Sequence, residues 1–423
     1  MPSVATDRPW YRQISGDQWK AFWAAYLGWA LDGFDFNILA FVLVDVQRSF
    51  TVNNALAGAL LSISALFRVI GGVGAGAAAD RWGRKGPLMF SILCYSILTF
   101  LCGFSTTYGM LFAFRALFGI GMGGVWSAGM PLALEHWPAH LRGRASGLLQ
   151  SAYATGYILM AVVYEFVHPL VAGAGELSWR FFFWIGIVPA LLAFWIMRGV
   201  KESPVWLESQ RQKGAQPAQR GFSVSRLFKR ELLPVTIQTT LLMSGMLSMY
   251  YAITYLYPKF LQTHGLQTLG FVVSFNVGGI LGGITCGRLA ETWLGRRGAS
   301  ALITLIGVSS LPLYLFSDNV STLMIGAFLV GVGTGNFGMT PTYLAERFPT
   351  AVRAAGAGFA YQAGGGLAAV TPTIIGMLED SGMPLASAMT WCIAISGAMV
   401  MVLLALGPET RGQELKAEIG QVG

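Results

Sequence analysis

Charge is scarce in this chain: 11% of its 423 residues are Asp, Glu, Lys or Arg, where a soluble domain carries about 25%. With 54% hydrophobic residues, a soluble fold of this length could not hide its apolar surface from water, so the chain reads as an integral membrane protein. Cysteine and histidine are scarce too, at four each. Cys94, Cys102, Cys286 and Cys392 all fall in apolar stretches without metal-ligand spacing. That excludes a disulfide framework or thiolate metal centre and leaves four small buried hydrophobes. A Walker-type phosphate loop, an HExxH helix and a GxSxG elbow with a suitable base are missing, so neither enzyme activity nor a cofactor or metal is expected. The first apolar stretch carries two aspartates and no small-residue cleavage site, so it does not read as a signal peptide.

What is present is apolar sequence in lengths of roughly 20 residues, the length of a membrane-crossing helix. Twelve such stretches are expected near 21–44, 54–79, 86–105, 108–133, 145–169, 179–198, 232–257, 268–290, 299–317, 321–344, 354–377 and 386–406. An even number puts both termini on one side. With the N-terminus in the cytoplasm, 23 of the 28 Lys and Arg fall in cytoplasmic segments. Three fall in outer ones (Arg48, Arg180 and Lys259), and Arg68 and Arg115 lie inside spans. This asymmetry obeys the positive-inside rule and places the protein in the inner (plasma) membrane. Because the basic charge is spread over many inner loops, the net charge of +8 does not signal a nucleic-acid partner.

The expected organisation is a cytoplasmic segment 1–20, a six-helix bundle 21–198, a cytoplasmic linker 199–231, a second six-helix bundle 232–406 and a cytoplasmic tail 407–423. The bundles are a repeat. Gly76 and Asp80 recur as Gly287 and Glu291, and Glu135, Pro138 and Arg142 recur as Glu346, Pro349 and Arg353, each at an offset of 211 residues. Agreement in register and topology marks a duplicated six-helix unit.

These residues carry a family resemblance. GAAADRWGRK after span two, with its partner GRLAETWLGRR in the second half, resembles the signature loop of the major facilitator superfamily. Glu202-Ser203-Pro204-Val205-Trp206-Leu207 after span six resembles that superfamily's ESPRWL motif, and Pro408-Glu409-Thr410-Arg411-Gly412 after span twelve resembles its PETRG motif. The resemblance implies an all-α fold of 12 transmembrane helices in two pseudo-symmetric halves, with a midplane site between halves that rock to alternate access. Physically, Asp80, Arg81, Arg84, Glu135, Arg142, Glu291, Glu346 and Arg353 lie at the inner mouths of helices. They either clamp that side shut when the protein faces outward or merely fix topology. Single exposed pairs contribute about 0–1 kcal/mol, and a network across a closing interface does more.

An ionisable residue deep in a span costs roughly 2.5–3.5 kcal/mol on insertion scales and marks function by default. Asp32 and Asp35 in span one are three residues apart, hence on one helix face. Two close carboxylates in low dielectric resist ionising together, so one of them is a candidate proton carrier; the alternative is that arginines neutralise both as a structural lock. Arg115 in span four is a candidate counter-ion or anchor for a substrate carboxylate, suited by its planar fork, and Arg68 in span two is the second buried cation. Glu165, near His168, is either a second proton stop or a solvated rim residue. The second half offers neutral groups instead, Tyr251 and Asn276 being the substrate-binding candidates there, with Tyr153 and Tyr157 of span five in the first half.

PWYRQISGDQWKAFWAAYLGWALDGFDF and LEHWPAHLRGRASGLLQSAYATGY resemble the sialate:proton symporter family, and DGFD is shared with the aromatic acid:proton symporters. The resemblance implies proton-coupled uptake of a small organic acid, either a sialic or sugar acid or a monocarboxylate, with Asp32 and Asp35 important for transport. Val125-Trp126 stands where sialate carriers carry an acidic step, and the two additional middle spans of familiar sialate carriers are missing; both favour a smaller or aromatic acid. An exporter of the same fold and a non-transporting sensor are the competing readings. The expected partners are the organic anion, the proton and the lipid bilayer, around a monomeric protein.

Overall fold

Ser15 starts the first helix. Its hydroxyl accepts from Gln18 N while the Gln18 side chain accepts from Ser15 N, so two otherwise orphaned amides are satisfied at once. From there the chain stays helical through the two aspartates to Phe50. The computed structural model describes residues 9–138, 141–213, 226–349 and 352–411, and among these twelve helical rods cross one bundle. They are α1 (Gly16–Phe50), α2 (Asn54–Trp82), α3 (Lys85–Cys102), α4 (Tyr108–His136), α5 (Arg142–Val171) and α6 (Leu177–Ile185 and Pro189–Gly199). The second six are α7 (Leu233–Thr254), α8 (Thr268–Ala290), α9 (Gly295–Ser309 and Leu311–Leu315), α10 (Val320–Gly333, a 3-10 turn Thr334–Gly338, and Thr340–Arg347), α11 (Arg353–Ala368 and Thr371–Asp380) and α12 (Leu385–Leu406). The broken rods restart with proline in the first turn, at Pro189, Pro312, Pro341 and Pro372, where its missing N–H costs nothing. Among the described residues, eight helices are by length and composition apolar enough to cross a membrane without interruption. A linker helix (Pro204–Lys213) follows α6, and a short helix (Tyr257–Thr263) follows α7.

The 211-residue repeat reappears as packing. A Cβ on Gly71 of α2 would run into the Ile120 carbonyl of α4, and one on Gly282 of α8 would run into the Val332 carbonyl of α10. Gly119 meets the Ser64 carbonyl as Gly331 meets that of Phe275. Small residues let helix backbones touch where burial against lipid provides no driving force.

The rods have a basic end, bearing the turns at 82–85 and 291–297 and the linker helix, and a far end, bearing the turns at 51–53, 103–107, 255–267 and 381–384. The hydrogen bonds joining the halves gather at the far end. Ser62 and Thr373 hydroxyls lie 2.7 Å apart, Gln262 Nε2 donates to Phe41 O at 2.8 Å, and Tyr157 Oη donates to Thr254 O at 3.1 Å. Gly58 faces the Pro372 carbonyl, and Gly376 faces that of Asn54. The molecule is thus closed at the far end.

Gly71→Ala places its methyl against backbone that cannot yield, so a loss of about 1–3 kcal/mol is expected. Gly74→Ala, with open space around it, is expected to be neutral or slightly stabilising. Thermal unfolding of the two variants in detergent checks the contrast, and equal melting temperatures would refute the packing argument.

Candidate functional site

Asp32 and Asp35 sit one helical turn apart on α1, and both are fully buried. Gly33 between them lets α5 approach, since a Cβ there would lie 3.0 Å from Tyr153 O. Arg68 Nη2 stands 4.0 Å from Asp32 Oδ2, with Arg68 14% exposed and Asp32 1%. The same arginine lines a narrow cleft between the halves with Tyr251, Tyr361 and Gln362, closed in above and below by Ala65, Val69, Leu247 and Gly365. Its free space, ≈ 10 Å³, is about that of one water. A substrate therefore enters only when the halves part.

Arg115 is buried differently. It is fully enclosed, its guanidinium carbon 4.2 Å from the centre of the Phe118 ring and 5.7 Å from that of Phe36. Among the described residues, Nε, Nη1 and Nη2 find no hydrogen-bond acceptor, and both oxygens of Asp32 and of Asp35 find no donor. Asp35 is in the electrostatic field of Arg115 and Asp32 and beside Thr99, but Thr99 Oγ1 donates to Tyr95 O at 2.9 Å. Ring faces contribute about 2 kcal/mol to a desolvated cation, against a desolvation penalty of several kcal/mol per ion. Buried charges so poorly paired are uncommon and call for an explanation.

Aromatic pairs cross between the halves around these charges. Phe36 meets Tyr255 at 4.9 Å, Tyr153 meets Tyr250 at 6.4 Å, and Trp126 stacks on Tyr361 at 6.2 Å and 22°. Tyr251 stacks on Tyr255 at 4.5 Å.

The basic end holds two copies of one charge network. In the first half Arg84 pairs with Asp80 and reaches Glu135 at 3.2 Å, and Ser203 Oγ donates to Glu135. Glu202 accepts from Arg84 N at 2.9 Å and Lys85 N at 3.1 Å. In the second half Arg296 pairs with Glu291 and reaches Glu346 at 3.2 Å, and Thr410 Oγ1 donates to Glu346 at 2.6 Å. Glu409 accepts from Arg296 N at 2.9 Å and Arg297 N at 3.1 Å. Each glutamate is packed against a glycine at positive φ, Gly83 (φ 98°) and Gly295 (φ 67°), where a Cβ would strike its carboxylate. Burial alone would push the Glu409 carboxyl up; the amides of Arg411, Arg296, Arg297 and Thr410 outweigh it and hold it below the usual glutamate value.

A model described as Major Facilitator Superfamily matches residues 25–372. The chain belongs to the major facilitator superfamily. This transporter is 33% identical over 409 residues to a probable 4-methylmuconolactone transporter of Cupriavidus pinatubonensis, covering 95% of this chain and 93% of that protein. It is 28% identical over 424 residues to the sialic acid transporter NanX of Escherichia coli, covering 97% and 99%. The fold matches the partially occluded inward open xylose transporter XylE of E. coli with a TM-score of 0.74 at 19% identity, over 95% of this chain and 100% of that one.

Several expectations need correction. Arg68, not Arg115, lines the cleft of this transporter. Tyr157 is spent on the Thr254 carbonyl at the far end, away from the cleft, because it sits one turn beyond Tyr153. Asn276 Nδ2 donates to Val272 O on its own helix at 2.8 Å, which uses one of its two N–H donors. The inner-mouth clamp was expected for the opposite state; in this far-closed state Asp80, Arg84, Glu135, Glu291 and Glu346 form networks within one half each. Arg353 binds the Ala345 and Phe348 carbonyls, and exposed Arg81 lies over its neighbour Trp82. The side chain of Arg142 lies outside the described residues. Glu165 is half-buried near the far end, and His168 pairs with Asp45 at 3.5 Å. The sequence reading missed Glu202, Ser203, Arg296, Glu409 and Thr410 as network members; the ESP and PET motifs were the signal.

Glu202→Ala and Glu409→Ala are each expected to cost about 1 kcal/mol by uncapping a helix start. Their effects should add in the double variant, since each sits in its own half; melting temperatures showing strong coupling would contradict this. A carboxyl held low in the fold stabilises at neutral pH and stops doing so as pH falls below the ordinary carboxylate range. The deficit of Glu409→Ala is therefore expected to vanish in acid.

Proposed function

We propose that this transporter is a proton-coupled symporter that takes up a small organic acid by alternating access, its basic end facing the cytoplasm. The observation that carries the reading is the Asp32–Arg68 pair at 4.0 Å, because Arg68 belongs at once to a buried aspartate and to the cleft between the halves. Arginine does not shed its proton. Its charge is neutralised either by Asp32 or by an incoming carboxylate, and both anions on one cation would be over-compensated in low dielectric. A proton on Asp32 frees Arg68 for the substrate, so anion and proton load together. Release of the anion lets Asp32 return its proton and recapture Arg68. Asp35 beside Arg115 is a second protonation site by the same logic, and Arg115 holds its charge beneath the cleft.

Tyr251 and Tyr361 line the cleft beside Arg68, and Tyr153, packed on Tyr250 of the other half, stands next to it. They serve a sugar acid or monocarboxylate through hydrogen bonds. The stacked Trp126–Tyr361 pair favours a second reading, an aromatic or unsaturated ring acid, in keeping with the muconolactone carrier among the relatives. Rocking alternates a state closed at the far end, the one seen, with a state closed at the basic end, in which the Arg84 and Arg296 networks meet across the interface.

Purified protein in liposomes tests this with labelled sialate, lactate and benzoate, with and without an ionophore. Asp32→Asn and Asp35→Asn are each expected to lower gradient-driven accumulation at least tenfold, with Asp32→Asn sparing exchange. Arg68→Ala should lose both accumulation and exchange. Full accumulation by the two aspartate variants would defeat the coupling scheme.

A further inference from the structure

The far-end closure has a hub that alternating access as outlined above does not use. Asn54, the first residue of α2, touches three elements. Its Oδ1 accepts from Gln47 Nε2 of α1 at 2.9 Å and from Lys259 Nζ of the other half at 2.7 Å. Its amide donates to Asp380 Oδ1 at 3.0 Å, and the next amide, of Ala55, donates to Asp380 Oδ2 at 2.9 Å. Lys259 is 6% exposed and also binds both oxygens of Glu379, at 3.0 and 2.8 Å.

We propose that Asp380 is a helix cap supplied in trans, and that with Lys259 it forms a latch setting the balance between the far-closed and far-open states. The first amides of a helix have no partner within it, and a carboxylate there gains from both the hydrogen bonds and the helix dipole. Asn53 caps only Leu56 N, at 2.9 Å. The amides of residues 54 and 55 receive their carboxylate from α11 across the interface, so α2 is fully capped only while the far end is shut. Lys259 adds the second half of the device. Its ammonium is stripped of water by closure and keeps two acceptors there, Glu379 on its own half and Asn54 on the other. When the halves part, Lys259 keeps Glu379 and exchanges Asn54 for water. Because α2 also carries Arg68, the latch fixes the helix that presents the cleft cation. Gly58 and Gly376 allow the close backbone approach that brings Asp380 into reach.

Residues in the latch change the equilibrium between states without touching the cleft, so their effect is separable from substrate chemistry. Spin labels on Thr106→Cys and Val320→Cys, exposed positions at the far end of opposite halves, report the opening as an electron–electron distance. The protein carries Ser in place of its four native cysteines and is reconstituted in liposomes. Asp380→Ala and Lys259→Met are each expected to raise the long-distance population about tenfold, a shift a ligand-sized free energy can produce. Asp380→Glu is expected to restore the parent distribution, and Asp17→Ala, which removes the exposed pair with Lys201 at the basic end, to leave it unchanged. Parent-like distances in both Asp380→Ala and Lys259→Met, in protein that retains its helical spectrum, would overturn the latch. An equal shift in Asp17→Ala would overturn it too, by showing a general charge effect. Repeating Asp380→Ala on Asp32→Asn separates the two ideas: the latch predicts the same widening there, whatever becomes of proton coupling.

Discussion

A cation that cannot be discharged stands in the middle of this bundle. Arg68 lies where charge is expensive, and Asp32 neutralises it from 4.0 Å, too far for a tight hydrogen-bonded pair. A closer, bidentate pair would hold both side chains in one geometry. At this spacing every oxygen of Asp32 and Asp35 lacks a hydrogen-bond donor among the described residues. The rest of the structure serves that condition. Glycines bring α2, α4 and α5 close enough to keep water from the charges, and aromatic rings from both halves cover them.

The two halves solve the same problem at the basic end with the same parts. An arginine after a positive-φ glycine holds an acid from its own turn and a glutamate from the last turn of α4 or α10, while a second glutamate caps the following helix. Asp80 and Glu135 have their copies 211 residues on, and Gly83 and Arg84 theirs 212 on because the turn ETWLGRR has one residue more than DRWGRK, while Glu202 and Ser203 have theirs 207 on. Networks closed within each half make each half a stiff unit. Contacts between halves then carry the conformational balance, and in this state the hydrogen bonds named among them lie toward the far end. A pair of rigid bodies hinged on a few exchangeable bonds is what alternating access requires.

Much of the architecture was legible in one dimension. Apolar stretches of about 20 residues located the twelve rods, although α6, α9, α10 and α11 are interrupted near Gly186, Ser310, Gly335 and Val370, and hydropathy does not register a kink. The buried pair Asp32 and Asp35 and the cations Arg68 and Arg115 stood out because charge in a span is rare. Which arginine meets the cleft did not show, because both lie on apolar helices and sequence gives no rotation about a helix axis. That the Tyr157 hydroxyl turns to the Thr254 carbonyl was hidden for the same reason.

Length, hydropathy, the distribution of Lys and Arg and the 211-residue repeat were determined by the sequence alone, since each depends on local composition and on counting along the chain. Partnership was decided only in three dimensions. Asp380 meets Asn54 across 326 residues, Lys259 meets it across 205, and Glu202 reaches Arg84 across 118. No periodicity encodes such pairs, because they arise where separately folded helices touch, and the energy of a charge is set by what surrounds it rather than by its place in the chain.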